Sequence, residues 1–149
     1  MTVDENKGNI FASLFIIANR LQVLGDRLDL EVTVKQWLLI AIMYKSQPQI
    51  LSVKEIAGVL SVSHQNVMQM VRSLDKKGFV QISIDNSDRR IKRISLTARC
   101  QEHFAGREDR ELAFLHDLFE CFTDDDLRHF TALIDQLVSN IVKLEARMN

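Results

Sequence analysis

The chain has 149 residues, 46% of them hydrophobic, with one proline, five glycines and a formal net charge of −1. That length suffices for a single domain with a sizeable core, and the composition shows no sign of a disordered tail or a low-complexity linker. Near-neutrality excludes the overall basic footprint common among nucleic-acid binders, so any such role has to rest on local charge. No apolar run approaches the roughly 18 to 20 residues that a bilayer crossing needs, Ile10 to Ala18 being followed by Asn19 and Arg20. The stretch Met1 to Lys7 lacks the basic start and cleavage site of a secretory leader. A cytoplasmic protein with no membrane partner is expected.

In chain order, the first predicted element is a helix in which Ile10, Leu14, Ile17, Leu21, Leu24 and Leu28 recur at steps of four and three, a heptad seam. Thr33-Val34-Lys35-Gln36 is a capping box opening a helix to about Tyr44 that carries Trp37, Leu38, Ile40, Ala41 and Met43. Trp37 is expected in the core. Ser52-Val53-Lys54-Glu55 is a second capping box, and the helix it opens has an apolar stripe at Val53, Ile56, Ala57, Val59 and Leu60. Ser61-Val62-Ser63 breaks that helix after about two turns. Ser63 caps the next, in which Val67, Met70, Val71 and Leu74 repeat at i, i+3, i+4, i+7 before Gly78 supplies a left-handed stop.

Phe79 to Ile84 and Ile91 to Leu96, both rich in β-branched residues, flank the polar run Asp85-Asn86-Ser87-Asp88-Arg89-Arg90, which reads as a β-hairpin. One helix is then expected from about Thr97 to Cys121, with Leu112, Leu115, Phe119 and Phe122 at helical spacing. Thr123-Asp124-Asp125-Asp126 caps a last helix whose seam is Leu127, Phe130, Ile134, Leu137, Ile141 and Leu144.

The order of elements describes a mainly α fold with a small β-hairpin wing. It is a winged helix-turn-helix over residues 33–98, flanked by N- and C-terminal dimerisation helices at 5–30 and 99–148, in one domain spanning 1–149. The two terminal seams, widened by Phe11, Phe15, Leu133 and Val138, offer more apolar surface than one small reading unit can cover. A homodimer is therefore expected, its twofold axis placing two reading helices about 34 to 36 Å apart, one turn of duplex DNA.

At about 100° per residue, the face of the second reading helix opposite its apolar stripe carries Gln65, Met68, Gln69, Arg72 and Lys76, flanked by His64, Asn66 and Ser73. Amide side chains match the N7 and N6 of adenine, and arginine matches guanine or a phosphate, so this face is suited to the major groove of double-stranded DNA. The hairpin presents Arg89 and Arg90, with Lys92 and Arg93 behind, and a narrow minor groove attracts such guanidinium groups. Asp88 is placed to pair with one arginine and hold it. Charge partition supports the reading: Ser52 to Cys100 carries nine Lys and Arg against four Asp and Glu, a net of +5, and the rest of the chain a net of −6.

The run from Val53-Lys54-Glu55-Ile56-Ala57 through Val62-Ser63, Val67 and Leu74-Asp75-Lys76-Lys77-Gly78-Phe79-Val80, followed by Asp88-Arg89-Arg90-Ile91-Lys92-Arg93-Ile94-Ser95-Leu96-Thr97, resembles the MarR family of bacterial transcriptional regulators. Asp-Arg-Arg followed by a strand ending in Leu-Thr is its more specific part. The resemblance covers the whole length and implies an obligate homodimer on a pseudopalindromic operator, released when an oxidant or a small, often aromatic, effector acts on it. It places recognition-helix positions on Ser63, His64, Gln65, Asn66 and Gln69 and wing arginines on Arg89 and Arg90; Arg72 and Lys92 complete the candidate DNA-binding set. The family commonly has glycine shortly after the Leu-Thr, where this chain reads Thr97-Ala98-Arg99-Cys100. An effector pocket would lie near Trp37 and the first helix, but no ligand residue is assigned.

Catalytic and metal signals are weak. His64, His103, His116 and His129 include no i, i+4 pair and no neighbouring cysteine cluster, so no metal or cofactor is expected. On one continuous helix Cys100 and Cys121 would stand about 31 Å apart, beyond disulfide reach, and two cytoplasmic cysteines are expected reduced and buried. No phosphate loop, nucleophile elbow or dinucleotide fingerprint is present, and no enzyme is expected. The alternative to a DNA-binding regulator is a winged-helix protein-interaction module.

Overall fold

The computed structural model describes residues 2–148, so Met1 and Asn149, the two ends of the expected domain, lie outside the described residues. The chain divides into two compact units, Met1–Ala105 and Gly106–Asn149. The first holds α1 (Val3–Leu28), α2 (Val34–Ser46), α3 (Val53–Leu60), α4 (His64–Lys76), the strands β1 (Val80–Ile84) and β2 (Lys92–Leu96), and α5 (Ala98–Ala105). The second holds α6 (Glu108–Leu118) and α7 (Asp124–Met148).

Both expected capping boxes are formed. Gln36 N donates to Thr33 Oγ1 at 3.2 Å while Thr33 N donates to Gln36 Oε1 at 3.1 Å. The Ser52 and Glu55 pair does the same at 3.2 and 2.7 Å. Each box satisfies two amides that a helix start otherwise leaves open. A third, unforeseen box joins Thr2 and Glu5 at the head of α1. α3 ends where Ser61 turns left-handed at φ 52°, and α4 where Gly78 does so at φ 76°, a conformation that costs glycine nothing. At position 25 glycine serves another purpose: a Cβ there would stand 2.1 Å from Val34 Cγ2, so a side chain would force Val34 to shift where α1 meets α2.

Leu39, Ile56, Val67, Val71, Leu74 and Phe79 are fully buried and join Val53, Val80, Ile94 and Cys100 in a single core. The strands pair antiparallel with Val80 opposite Leu96 and Ile84 opposite Lys92. The segment entering α3 lies along β2, with Ile94 N donating to Leu51 O at 3.0 Å and a bridge from Ser52 to Arg93. The wing is thus fixed to the helix-turn-helix by backbone as well as by packing.

Several expectations need correction. Trp37 is not core: it is 42% exposed, and α2 buries Gln36, Leu39, Ile40 and Met43 instead, a run at i, i+3, i+4, i+7. Spacing, not side-chain size, selected the inner face. Val59 likewise points outward from α3. The helix expected from Thr97 to Cys121 is two helices, α5 and α6, interrupted at Gly106 and Arg107. Glycine weakens a helix interior by about 1 kcal/mol relative to alanine, and the acidic first turn of α6 at Glu108, Asp109 and Glu111 favours a fresh start there. The separation inferred for Cys100 and Cys121 from one continuous helix therefore lapses. Cys100 is buried as expected, whereas Cys121 is exposed.

Finally, α1 is by length and composition long and apolar enough to cross a membrane, contrary to the sequence expectation. Asn19 and Arg20 interrupt its apolar run, yet an 18-residue window of the helix keeps a mean hydropathy of 1.2. None of its residues is buried, and Ile10, Phe11, Leu14, Phe15, Ile17 and Leu24 are exposed.

Candidate nucleic-acid interface

The core dictates which side of α4 is available. Val67, Met68, Val71 and Leu74 turn inward, and Ser63, His64, Gln65, Asn66, Gln69 and Arg72 are all exposed. Ser63 serves as the N-cap, its hydroxyl oxygen accepting from Asn66 N at 3.1 Å, so it orders the first turn while its own O–H stays available to donate. Met68, expected on the outer face, is buried: the inner stripe is wider than the i, i+3, i+4 series, and an unbranched thioether fills the added space. Ser73, on the flank, accepts a hydrogen bond from the buried Gln36 Nε2 at 3.1 Å, pinning α4 to α2. What remains outside is a strip of amides, an imidazole and a guanidinium, donors and acceptors of the kind that distinguish base edges.

The wing tip is ordered by two aspartates. Asp85 Oδ2 accepts from Ser87 N at 3.0 Å, Ser87 Oγ at 2.5 Å and Asp88 N at 3.1 Å, an Asx-type turn that fixes the loop. Its other oxygen accepts from Arg93 Nε. Ser87 and then Arg93 hold the Asp85 carboxyl well below the usual carboxylate range, and Asp85 in turn raises Arg93 above the usual guanidinium value. Asp88 pairs with Arg90 as anticipated: Oδ1 accepts from Arg90 N at 3.0 Å and Nε at 3.2 Å, and Oδ2 from Nη2 at 3.2 Å. Those bonds lower the Asp88 carboxyl too. The Arg90 side chain is nevertheless 90% exposed, so the pair aims the guanidinium without covering it. Arg89 and Lys92 are exposed, and among the described residues no ion pair or side-chain hydrogen bond holds either.

All nine candidate residues lie in the first unit, six on or capping α4 and three on the hairpin. Sequence reasoning missed the residues that hold this surface in shape: Gln36 beneath α4, and Asp85 with Arg93 at the wing base. Opposite charges flanking a hairpin loop were a readable signal for the second pair.

A family model described as MarR family matches residues 29–91. The transcriptional activatory protein BadR of Rhodopseudomonas palustris is 24% identical over 147 residues, spanning 95% of this chain and 83% of its own. Among solved structures, a MarR protein from Peptoclostridium difficile matches with a TM-score of 0.82 at 17% identity, over 95% of this chain and 92% of that one. The S. aureus MepR–DNA complex matches with a TM-score of 0.77 at 20% identity, over 88% and 97%. The matched segment runs from the connector before α2 to the wing arginines, and the structural likeness extends to the helices on either side. Over residues 29–91 the chain is similar to the MarR family, and its fold is the one those solved structures share.

Proposed function

We propose that this protein works as a homodimer that grips a pseudopalindromic DNA operator, α4 of each copy docking in a major groove and each wing reaching the adjacent minor groove. Ser63, His64, Gln65, Asn66, Gln69 and Arg72 face base edges and phosphates; Arg89, Arg90 and Lys92 supply the minor-groove and backbone contacts. The observation that carries the reading is the pairing of an exposed polar strip on α4 with an ordered, arginine-tipped wing on one shared core. The S. aureus neighbour solved as a DNA complex shares that fold.

Residues 5–30 and 99–148 form the dimerisation region. Phe11 and Phe15 on α1 are 66% and 60% exposed, and Leu133 and Val138 on α7 are 63% and 52% exposed. Apolar stripes on that scale mark an association surface, and this reading assigns the membrane-like composition of α1 to a helix seam. The protein acts in the cytoplasm, where the operator is.

A small aromatic effector releases the grip by changing the distance or tilt between the two α4 helices, because a fixed groove spacing tolerates little displacement. It does so only by binding the mismatched geometry better than the matched one. The position of the operator relative to a promoter, not the grip itself, sets whether binding represses or activates.

Fluorescence anisotropy of a labelled duplex over a salt series tests the reading. Wild type should lose affinity steeply as salt rises, and the R89A/R90A double variant should bind most sequences more weakly with a flatter salt dependence. Unchanged retention by the double variant would favour the protein-interaction alternative.

A further inference from the structure

The first turn of α2 is bonded on both sides to side chains of other helices. On one side Asp26, near the end of α1, reaches across with Oδ1 to accept from Val34 N, the first helical amide of α2, at 2.8 Å. That amide is one of the donors a helix start leaves open, and a carboxylate is the acceptor that the positive end of a helix favours. Gly25 lets the two helices meet here, since a Cβ on it would stand 2.1 Å from Val34 Cγ2. Successive residues of α1 thus meet one residue of α2, the first by lacking a side chain and the second by a hydrogen bond.

On the other side, the buried Gln36 uses both ends of its amide. Its Oε1 accepts from Thr33 N at 3.1 Å within the capping box, and its Nε2 donates to Ser73 Oγ of α4 at 3.1 Å. A backbone N–H only donates, so the oxygen of the amide has to face Thr33 and its NH2 has to face Ser73. At 7% exposure, losing Ser73 would leave Gln36 with an unpaired buried donor, which is costly. Ser73 follows Arg72 directly and lies one turn past Gln69, both in the exposed strip. The turn from Thr33 to Gln36 therefore stands between a bond to α1 and a bond to α4.

We propose that Asp26 and Gln36 are positioning residues for the reading helix, forming with Ser73 a hydrogen-bonded relay through which the end of α1 sets the orientation of α4. The consequence for DNA rests on the proposed docking of α4; the relay itself does not. The apolar core that α2 and α4 share holds them together, but such burial has no preferred direction. The Gln36–Ser73 bond supplies one, selecting a single rotation of α4 about its axis. Because α1 carries the proposed partner face, a change in how two copies associate passes along this route to α4 without any relay residue touching a base.

A double-mutant cycle on the full-length protein separates a relay from two unconnected bonds. D26A, S73A and D26A/S73A are compared with wild type by nitrogen-15 NMR without DNA, and by affinity for a fixed duplex at constant salt. D26N, which keeps an acceptor at the same place, is the conservative control. In D26A the Gln36 side-chain NH2 and the amides of residues 69–76 should shift; in D26N they should stay near their wild-type positions. S73A should shift the same signals, and adding D26A to it should displace α4 no further. Affinity should fall about fivefold or more in each single variant, the lower range of coupling between sites. The double variant should lose no more than the weaker-binding single, because both changes cut one route, whereas independent bonds would multiply their losses. Multiplied losses, or α4 amides and a Gln36 NH2 unmoved in D26A, would overturn the proposal. If S73A does not fold, equal α4 shifts in D26A and D26N would overturn it as well. No duplex binding by wild type at any salt, with the NMR pattern intact, would remove the DNA reading and leave the relay standing.

Discussion

Arg93 reaches Asp85 across the hairpin with Nε and the carbonyl of Ile50 with Nη1, the latter at 2.9 Å. One guanidinium therefore fastens the wing to the segment that enters α3, with Glu55 of the capping box 3.7 Å away. Backbone pairing alone leaves a two-stranded hairpin marginal, so this side chain decides how firmly the wing tip is held.

Arg93→Ala should loosen the wing without unfolding the core. The amides of Asp85 and Ile91, which donate to Ile91 O at 2.9 Å and Asp88 O at 3.0 Å, should exchange with solvent faster, while those within α4 keep their protection. Hydrogen exchange read by NMR checks this, and uniform loss of protection across the first unit would contradict it.

Acid should act on the same region. The carboxyls of Asp85, Asp88 and Glu55 all sit below their ordinary range, through bonds from Ser87, Arg90 and Ser52 respectively. A depressed folded-state value contributes stability that is complete above the ordinary carboxylate range of about 3.9 to 4.3 and is lost as pH falls through the folded value. Wing amide shifts should stay constant from neutrality down to about pH 5 and move below about pH 4. A wing transition near neutrality would point to a different group.

The two cysteines should differ in reactivity. Cys100 is 1% exposed, and burial pushes its thiol up to about 11, leaving little thiolate at neutral pH. Cys121 is exposed, at a left-handed residue just past α6. Iodoacetamide followed by peptide mass spectrometry should find Cys121 alkylated first, with Cys100 modified only on unfolding. Equal labelling of the native protein would refute the burial.

Gln65→Ala should change sequence preference rather than overall affinity. If the amide makes a bidentate contact with adenine, about 1 to 3 kcal/mol is lost at the matched base and little elsewhere. Competition between matched and scrambled duplexes reads the difference, and equal losses on both would remove Gln65 from the base-reading set.

The parts of the fold governed by local rules were legible in the sequence. Thr33 and Ser52 began helices because their boxes involve residues only three positions apart, and Gly78 ended one because the stop is a property of a single backbone. The exposed strip on α4 was legible except at Met68, where the width of the buried stripe is set by tertiary packing. Trp37 lies outside the core because the inner face of α2 is set by Gln36, Leu39, Ile40 and Met43, which also depends on tertiary packing. The α5–α6 break turned on one glycine within a periodic run, which local propensity signals only weakly. Gln36 on Ser73, Asp85 on Arg93 and Asp29 on His103 join residues up to 74 positions apart, and neither periodicity nor motif announces such pairs.

Selection of bound fragments from a random duplex pool by the purified full-length protein, followed by sequencing, bears most directly on the two-part grip. The expected output is an inverted repeat whose half-sites lie about one helical turn apart, with base preferences centred on each half. Recovery of sequences with no shared motif, at the level of a pool passed over bare support, would contradict it.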